Sequence, residues 1–255
     1  MKAYLRALQT RFPALLESKC WVQRRWRLLT RQPFEADFTA LRALPPPAPG
    51  QVHLDVGANR GQSIDAIRML RPGATIHSFE PNPILADRLG RMFTRDRGVA
   101  INRFGLDDRT GAFDLHVPYY KGFLFDGLAS FDPHAAAEWL PRHMPGFQER
   151  HQVIRCVRCE VRPLDGLGLD PCFLKIDVQG LEHRVLLGAP ETIRRSQPTL
   201  LIETPAPATV DLLLSLGYRR CSWDGRRFAV DNDRGTNAFF LSAATLARMP
   251  HDARH

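Results

Sequence analysis

Leu54-Asp55-Val56-Gly57-Ala58-Asn59-Arg60-Gly61 decides the fold: an apolar run carrying an acid near its end, two glycines four apart, and then the helical periodicity of residues 62–70. Glycine reaches torsions that other residues resist and lets the main chain approach a neighbour closely, so this pattern marks a tight, ligand-facing turn between strand and helix. The unpaired N–H groups opening the helix form a site for a carboxylate or phosphate. Asp55 discriminates among ligands, because a carboxylate beside that loop repels a pyrophosphate but suits an ammonium group. Glu80 closes the next apolar run, TIHSFE, where an acid about 20 residues on can accept both hydroxyls of a ribose. Together these residues point to an adenosyl nucleoside with a charged amino-acid tail, the chemistry of S-adenosylmethionine.

Outward from this turn, short apolar runs alternate with helical periodicity. VHLDV precedes a helix over 62–70, TIHSFE a helix over 84–93, and VAINRF follows; later come CFLKID, a helical stretch over 181–193, TLLIE, a helix over 208–216, and strand-like segments at 219–223, 226–230 and 238–241. Such alternation predicts an α/β fold around a mostly parallel sheet. Residues 107–161 are less regular, strand-like at 112–117 and 153–161 with a Gly, Pro, Phe and His-rich stretch between, and are read as an insert able to carry a substrate lid. Pro45-Pro46-Pro47-Ala48-Pro49-Gly50 cannot continue a helix and reads as a stiff linker. The expected organisation is a basic helical extension at 1–44, a linker at 45–50, and the main domain at 51–255.

At 255 residues, 44% hydrophobic and 24% charged, the composition is that of a globular protein with one large core and excludes a disordered or collagenous chain. No apolar run approaches the roughly 18 residues of a membrane span. Residues 1–44 hold nine Lys and Arg against Glu17, Glu35 and Asp37, so this segment carries +6 of the net +8. The remaining chain is nearly neutral, which argues against a nucleic-acid-coated surface. In the extension, Leu5, Leu8, Phe12, Leu15 and Leu16, then Trp21, Val22, Trp26, Leu28 and Leu29, recur at helical spacing, with Pro13 and Pro33 as interruptions. The favoured reading is a cap on the main domain; the sharper one is docking to an anionic membrane surface or an acidic substrate. Five cysteines and the lack of a leader-like apolar stretch lead to the expectation of free thiols and a cytoplasmic protein, with peripheral contact at the inner face of a membrane as the variant.

A second constellation, Phe173-Leu174-Lys175-Ile176-Asp177-Val178-Gln179-Gly180-Leu181-Glu182, repeats the strand, acid, glycine and helix order. Asp177 should therefore project into the same crevice as Asp55 and Glu80, while Lys175, two residues earlier, shares its strand face and reads as an ion-pair partner. LDVGANRGQS, HSFEPNP and above all FLKIDVQGLEHRVLLGA resemble the FkbM family of S-adenosylmethionine-dependent methyltransferases, from about residue 51 to 203 and weakly to Leu241. The resemblance implies a class I methyltransferase (Rossmann-like) sheet of seven strands with an antiparallel last strand, and O-methylation of a sugar, glycolipid or secondary metabolite. By position it also implies that Asp55, Gly57, Ala58, Asn59 and Gly61 hold the methionine part, Glu80 and Pro81 the ribose side, and Asp107 or Asp108 the adenine edge.

Methyl transfer to a hydroxyl needs an oriented acceptor oxygen and a proton acceptor. Asp177, Glu182 and His183 are the base candidates, although Glu182 and His183 on one helix point about 100° apart. Glu203, ending TLLIE, is a further acid at the same edge. Cys156 and Cys159 lie in a strand-like run where residues three apart face opposite sides, so no metal site is expected there. His116, His134, His143 and His151 lack ligand spacing. Tyr119, Tyr120, Phe123, Phe125 and Phe131 suit either an aromatic platform for the acceptor, with Ser130 and Asp132 on its hydroxyls, or a satellite core. The competing functions are methylation of RNA or protein and a noncatalytic adapter on the same fold, with a dinucleotide oxidoreductase disfavoured by Asp55.

Overall fold

The computed structural model describes residues 13–232, 235–250 and 253, with side chains from Trp21 onward. The expected helix positions Leu5, Leu8 and Phe12 lie outside the described residues, as do the side chains of Leu15 and Leu16. The chain divides into two compact units, one holding Arg31–Gly111 with Glu160–His255, the other Ala112–Cys159 with the chain up to Thr30.

The larger unit is built on an eight-stranded mixed sheet. Its strands are β1 (Val52–Val56), β2 (Ile76–Phe79), β3 (Val99–Asn102), β8 (Pro171–Ile176), β9 (Thr199–Glu203), β10 (Tyr218–Trp223), β11 (Phe228–Val230) and β12 (Asn237–Ser242), in the order β11-β10-β12-β9-β8-β1-β2-β3. From β3 to β9 the neighbours are parallel. The last strand in the chain, β12, lies between β9 and β10 and runs antiparallel to both, while β11 adds an antiparallel edge strand beyond the expected seven. β1 sits between β2 and β8, so the chain leaves its end in opposite directions and opens a crevice at the carboxyl edge.

Strand alternation sorts side chains onto two cores. Leu54, Val56, Leu174, Ile176, Leu200, Ile202 and Phe240 join one cluster, while Phe173, Leu201, Phe239 and Leu241 join the other. Both faces are covered, which accounts for the continuous burial of β1. On the second face lie Ile64 and Ile67 of α2 (Gln62–Leu70) and Leu89 of α3 (Pro83–Met92). Asn82 starts α3 by accepting the Ile84 amide at 3.0 Å, with Pro83 pre-set for the first turn.

Two expectations change. The helical stretch over 181–193 is two helices, α5 (Glu182–Leu187) and α6 (Pro190–Ser196). At the break, a Cβ on Gly188 would stand 1.9 Å from the Asp107 carbonyl oxygen, so the close backbone approach requires glycine there. The packed core also begins upstream of the Pro-rich stretch and of the expected start at Gln51. The 3-10 helix Ala36–Arg42 buries Phe38 and Leu41, three apart and therefore aligned along one side. The Trp223 indole donates to the Thr39 hydroxyl at 2.8 Å, and the Arg71 guanidinium donates to the Leu41 and Leu44 carbonyls.

In the smaller unit, α1 (Pro13–Thr30) is an 18-residue helix. The insert is more regular than its sequence reads, with strands β5 (Gly111–Tyr120) and β6 (Phe123–Leu124), helix α4 (Pro133–His143) and strand β7 (Gln152–Arg162). β7 ends in the larger unit, where Val161 and Arg162 pair with β4 (Gly105–Leu106). Asp132 caps α4 through the His134 amide at 2.9 Å, and Pro133 opens it. Tyr120 and Phe123 are buried, with Tyr120 stacked on Phe147 at 5.3 Å, so this part of the aromatic group forms a satellite core. Cys156 is exposed and Cys159 buried, as opposite strand faces require.

Truncating Phe38 to Ala should destabilise the protein by about 3–5 kcal/mol, the range for deleting a buried aromatic ring. Urea unfolding followed by circular dichroism measures this; a loss below about 1 kcal/mol would separate the 3-10 segment from the folded core.

Candidate active site

Register brings the four charged side chains of Asp55, Lys175, Asp177 and Glu203 to one face at the carboxyl edge. Asp55 on β1 is paired with Ser78 on β2 and with Lys175 on β8. Asp177 follows two positions after Lys175, and Glu203 two after its neighbour Leu201 on β9. All four therefore point to the side occupied by α2 and the 3-10 helix.

Lys175 is the centre of this group. Its buried ammonium lies 3.3 Å from Asp55 Oδ1 and 3.5 Å from Asp177 Oδ2, and it donates to the Gly57 carbonyl at 2.9 Å. Burial opposes the charge, but the Asp55 and Asp177 carboxylates outweigh it and hold the lysine pKa above its ordinary value. Asp55 is 0% exposed, and its other oxygen accepts from the Ser78 hydroxyl at 2.9 Å. Asp55 thus fixes the loop through Lys175.

The loop is closed on itself. The amides of Gly57 and Ala58 donate to the Phe79 carbonyl, that of Asn59 to Glu80, and that of Gly61 to the Ala58 carbonyl. A Cβ on Gly57, whose φ is +85°, would fall 1.8 Å from the Asp177 carbonyl oxygen. That contact and the Asp177 amide on the Val56 carbonyl draw the two strand ends together. The amides left for an anion are those opening α2, where Gly61 caps with no side-chain hydrogen bond.

Glu80 is buried at the end of β2. One oxygen accepts the Asn59 amide at 2.8 Å and the other the Asn82 amide at 2.9 Å. Burial pushes its pKa up to about 7, against the lowering effect of those two amides. Each oxygen keeps a further lone pair. The Pro81 ring lies against Gly105, where an added Cβ would meet it at 3.3 Å.

Asp107 and Asp108 are joined by a residue the sequence did not single out. Arg184 on α5 reaches Asp107 Oδ1 at 2.8 Å and Asp108 Oδ1 at 3.0 Å. Burial raises the Asp107 pKa, while the Arg184 hydrogen bond lowers that of Asp108.

The base candidates separate. Glu182 is buried, and its Oε1 accepts the Val178 amide at 3.2 Å and the Gly180 amide at 3.0 Å, so it holds the loop after β8. His183 is half-buried, and its shielded Nδ1 has no hydrogen-bond partner. Asp177 is partly exposed, with Oδ1 accepting from the Gln179 amide group at 3.1 Å. Burial pushes Asp177 up, but the hydrogen bond from Glu203 and the Lys175 ammonium outweigh it and hold its pKa below the ordinary value. Glu203 is pushed up to about 7, first by that hydrogen bond to Asp177, then by burial and by the Asp177 charge. The two carboxyl groups therefore titrate as a pair, Asp177 held low and Glu203 pushed up.

Three further residues flank the pair. The Asn237 amide group donates to Glu35 Oε2 at 3.2 Å and to Asp37 Oδ2 at 2.8 Å. Burial raises the Glu35 pKa, with the nearby Lys175 charge opposing. These residues are 200 positions apart in the chain, and no local pattern joins them. Among the described residues, no group of His, Cys, Asp and Glu is arranged to hold a metal ion.

The Methyltransferase FkbM domain matches residues 55–220. Among curated proteins, the chain is 28% identical over 158 residues to 2-O-methyltransferase NoeI of Sinorhizobium fredii (strain NBRC 101917 / NGR234), covering 58% of this chain and 61% of that protein. It is 29% identical over 164 residues to 31-O-demethyl-FK506 methyltransferase FkbM of Streptomyces tacrolimicus, covering 55% and 60%. The chain thus matches about three fifths of the length of these relatives. Among solved structures, methyltransferase FkbM from Methylobacillus flagellatus KT aligns with a TM-score of 0.49 at 17% identity, over 79% of this chain and 48% of that one.

Replacing Lys175 with Met leaves the Asp55 carboxylate buried without its cation. The expected cost is about 3–5 kcal/mol in urea unfolding, with more than half recovered on adding Asp55→Asn. A cost below about 1 kcal/mol would show that the network does not hold the loop.

Proposed function

Because the chain belongs to the FkbM methyltransferase family, we propose that it transfers a methyl group from S-adenosylmethionine to a hydroxyl oxygen of a small molecule or glycan. The observation that carries the acceptor half of this reading is the register that sets Asp177 and Glu203 at neighbouring strand ends on one face, beside the Lys175 ammonium. The names of both curated relatives, each an O-methyltransferase, support the same choice.

The residues fit the donor. Glu80 offers one spare lone pair on each oxygen, which matches the paired hydroxyls of a ribose. The first turn of α2 offers amides to a carboxylate, and Asp107 or Asp108, directly after β4, is assigned to the adenine edge. Asp55, with Gly57, Ala58, Asn59 and Gly61, shapes the loop that these contacts depend on. Its carboxylate is committed to Lys175 and Ser78, so the direct ammonium contact expected of it is not part of the proposal.

When bound, S-adenosylmethionine supplies a methyl carbon activated by its sulfonium. The protein must hold the acceptor oxygen in line with that carbon and take the hydroxyl proton. We assign that role to Asp177, which is partly exposed, whereas Glu182 is buried with its Oε1 engaged by the loop amides. While Glu203 keeps its proton, Asp177 is already hydrogen-bonded and held acidic; once the pair loses that proton, it becomes a stronger acceptor. His183 is assigned to orienting the acceptor.

The test is transfer of labelled methyl to a panel of sugars, glycolipids and other hydroxylated compounds. Label in a base-stable ether supports the reading; label confined to carboxyl esters, amines or RNA would contradict it. With the acceptor in hand, turnover should rise as pH passes through about 7, since the Glu203 pKa is raised and its proton must leave to free the pair. Glu203→Gln, which cannot lose that proton, should flatten the profile, and Asp177→Asn should lower kcat by about 100-fold or more.

A further inference from the structure

Helix α1 presents large apolar side chains to solvent. Trp21 is 59% exposed, Trp26 65% and Leu29 81%, with Val22 and Leu28 exposed beside them. At about 100° per residue these five span an arc of roughly 160°. Among the remaining residues of 21–30, only Arg25 falls inside that arc, and its guanidinium lies 5.2 Å from the centre of the Trp21 ring. Gln23, Arg24, Arg27 and Thr30 occupy the opposite side. Between Ser18 and Phe34 the chain carries Lys19, Arg24, Arg25, Arg27 and Arg31 and no acid.

An apolar face on a basic helix is costly to leave in water, and aromatic rings with a polar edge settle at the boundary between lipid headgroups and acyl chains. No helix of the described residues is long and apolar enough to cross a membrane. We propose that α1 lies flat in the surface of an anionic bilayer, with Trp21, Trp26 and Leu29 entering the acyl boundary and Arg25 and Arg31 contacting headgroup phosphates. Charge selects this occupant: α1 with Arg31 carries five cations against the single acid Glu17, which matches a negatively charged surface, and the breadth of the apolar arc matches a plane rather than a narrow groove. The inference is independent of the methyltransferase reading.

The test is co-sedimentation of the full chain with vesicles of phosphatidylcholine alone or mixed with phosphatidylglycerol. Binding should require the anionic lipid and weaken as salt rises. A Trp21→Ser, Trp26→Ser, Leu29→Ser variant should bind about tenfold or more weakly while keeping the parent's circular dichroism and unfolding midpoint. Arg25→Glu with Arg31→Glu should reduce binding to the anionic vesicles. Equal binding by parent and triple variant, or none by the parent, would overturn the proposal. So would a parent dimer that the triple variant converts to monomer without any vesicle binding, since a second copy would then cover the face.

Discussion

The Lys175 ammonium sits buried between Asp55 and Asp177 and donates to the Gly57 carbonyl, so one cation joins β1, β8 and the turn between them. Two carboxylates would repel each other this far from water, and an isolated lysine would give up its proton there. Each charge is tolerated because the others are present. The Gly57 turn can close only against the Asp177 main chain, where any Cβ would collide. From that closure follow the positions of the Asn59 amide on Glu80 and of the first turn of α2. The network also sets the acidity of Asp177, and through it the raised pKa of Glu203.

Much of this was readable in the sequence because it depends on neighbours in the chain. Short apolar runs marked the strands, Gly57 and Gly61 the turn, and the acids at or after the ends of those runs the positions of Asp55, Glu80, Asp177 and Glu203. What escaped depends on register and distant contact. Asp55 looked like a ligand for a cofactor ammonium until its pairing with Lys175 across two strands was known. Glu182 looked like a free base because nothing local says that it turns back onto the Val178 and Gly180 amides. The break at Gly188 is imposed by the Asp107 carbonyl, some eighty positions away. Arg184 on Asp107 and Asp108, and Asn237 on Glu35 and Asp37, carry no sequence signal at all.

The division between matched and unmatched segments has a physical counterpart. The segment shared with the family, residues 55–220, contains the turn, the buried lysine and the carboxyl pair. Glu35, Asp37 and Asn237 lie outside it, yet they stand at the same sheet edge as Glu203, which pairs with Asn237 in the ladder. In the proposed reaction, the first group supports donor binding and proton acceptance, while the second lies close enough to the carboxyl pair for Glu35 to act on the charge of Glu203. The 3-10 segment next to Glu35 and bearing Asp37 is anchored by Phe38 and Leu41 in the core.

The most direct measurement is calorimetric titration of the full chain with S-adenosylmethionine and S-adenosylhomocysteine, which needs no knowledge of the acceptor. Micromolar binding is expected for at least one of them, weakened about ten- to a hundred-fold in Glu80→Ala by loss of the carboxylate hydrogen bonds. No binding by a folded sample, or binding unchanged in Glu80→Ala, would contradict the assignment of the crevice to an adenosyl donor.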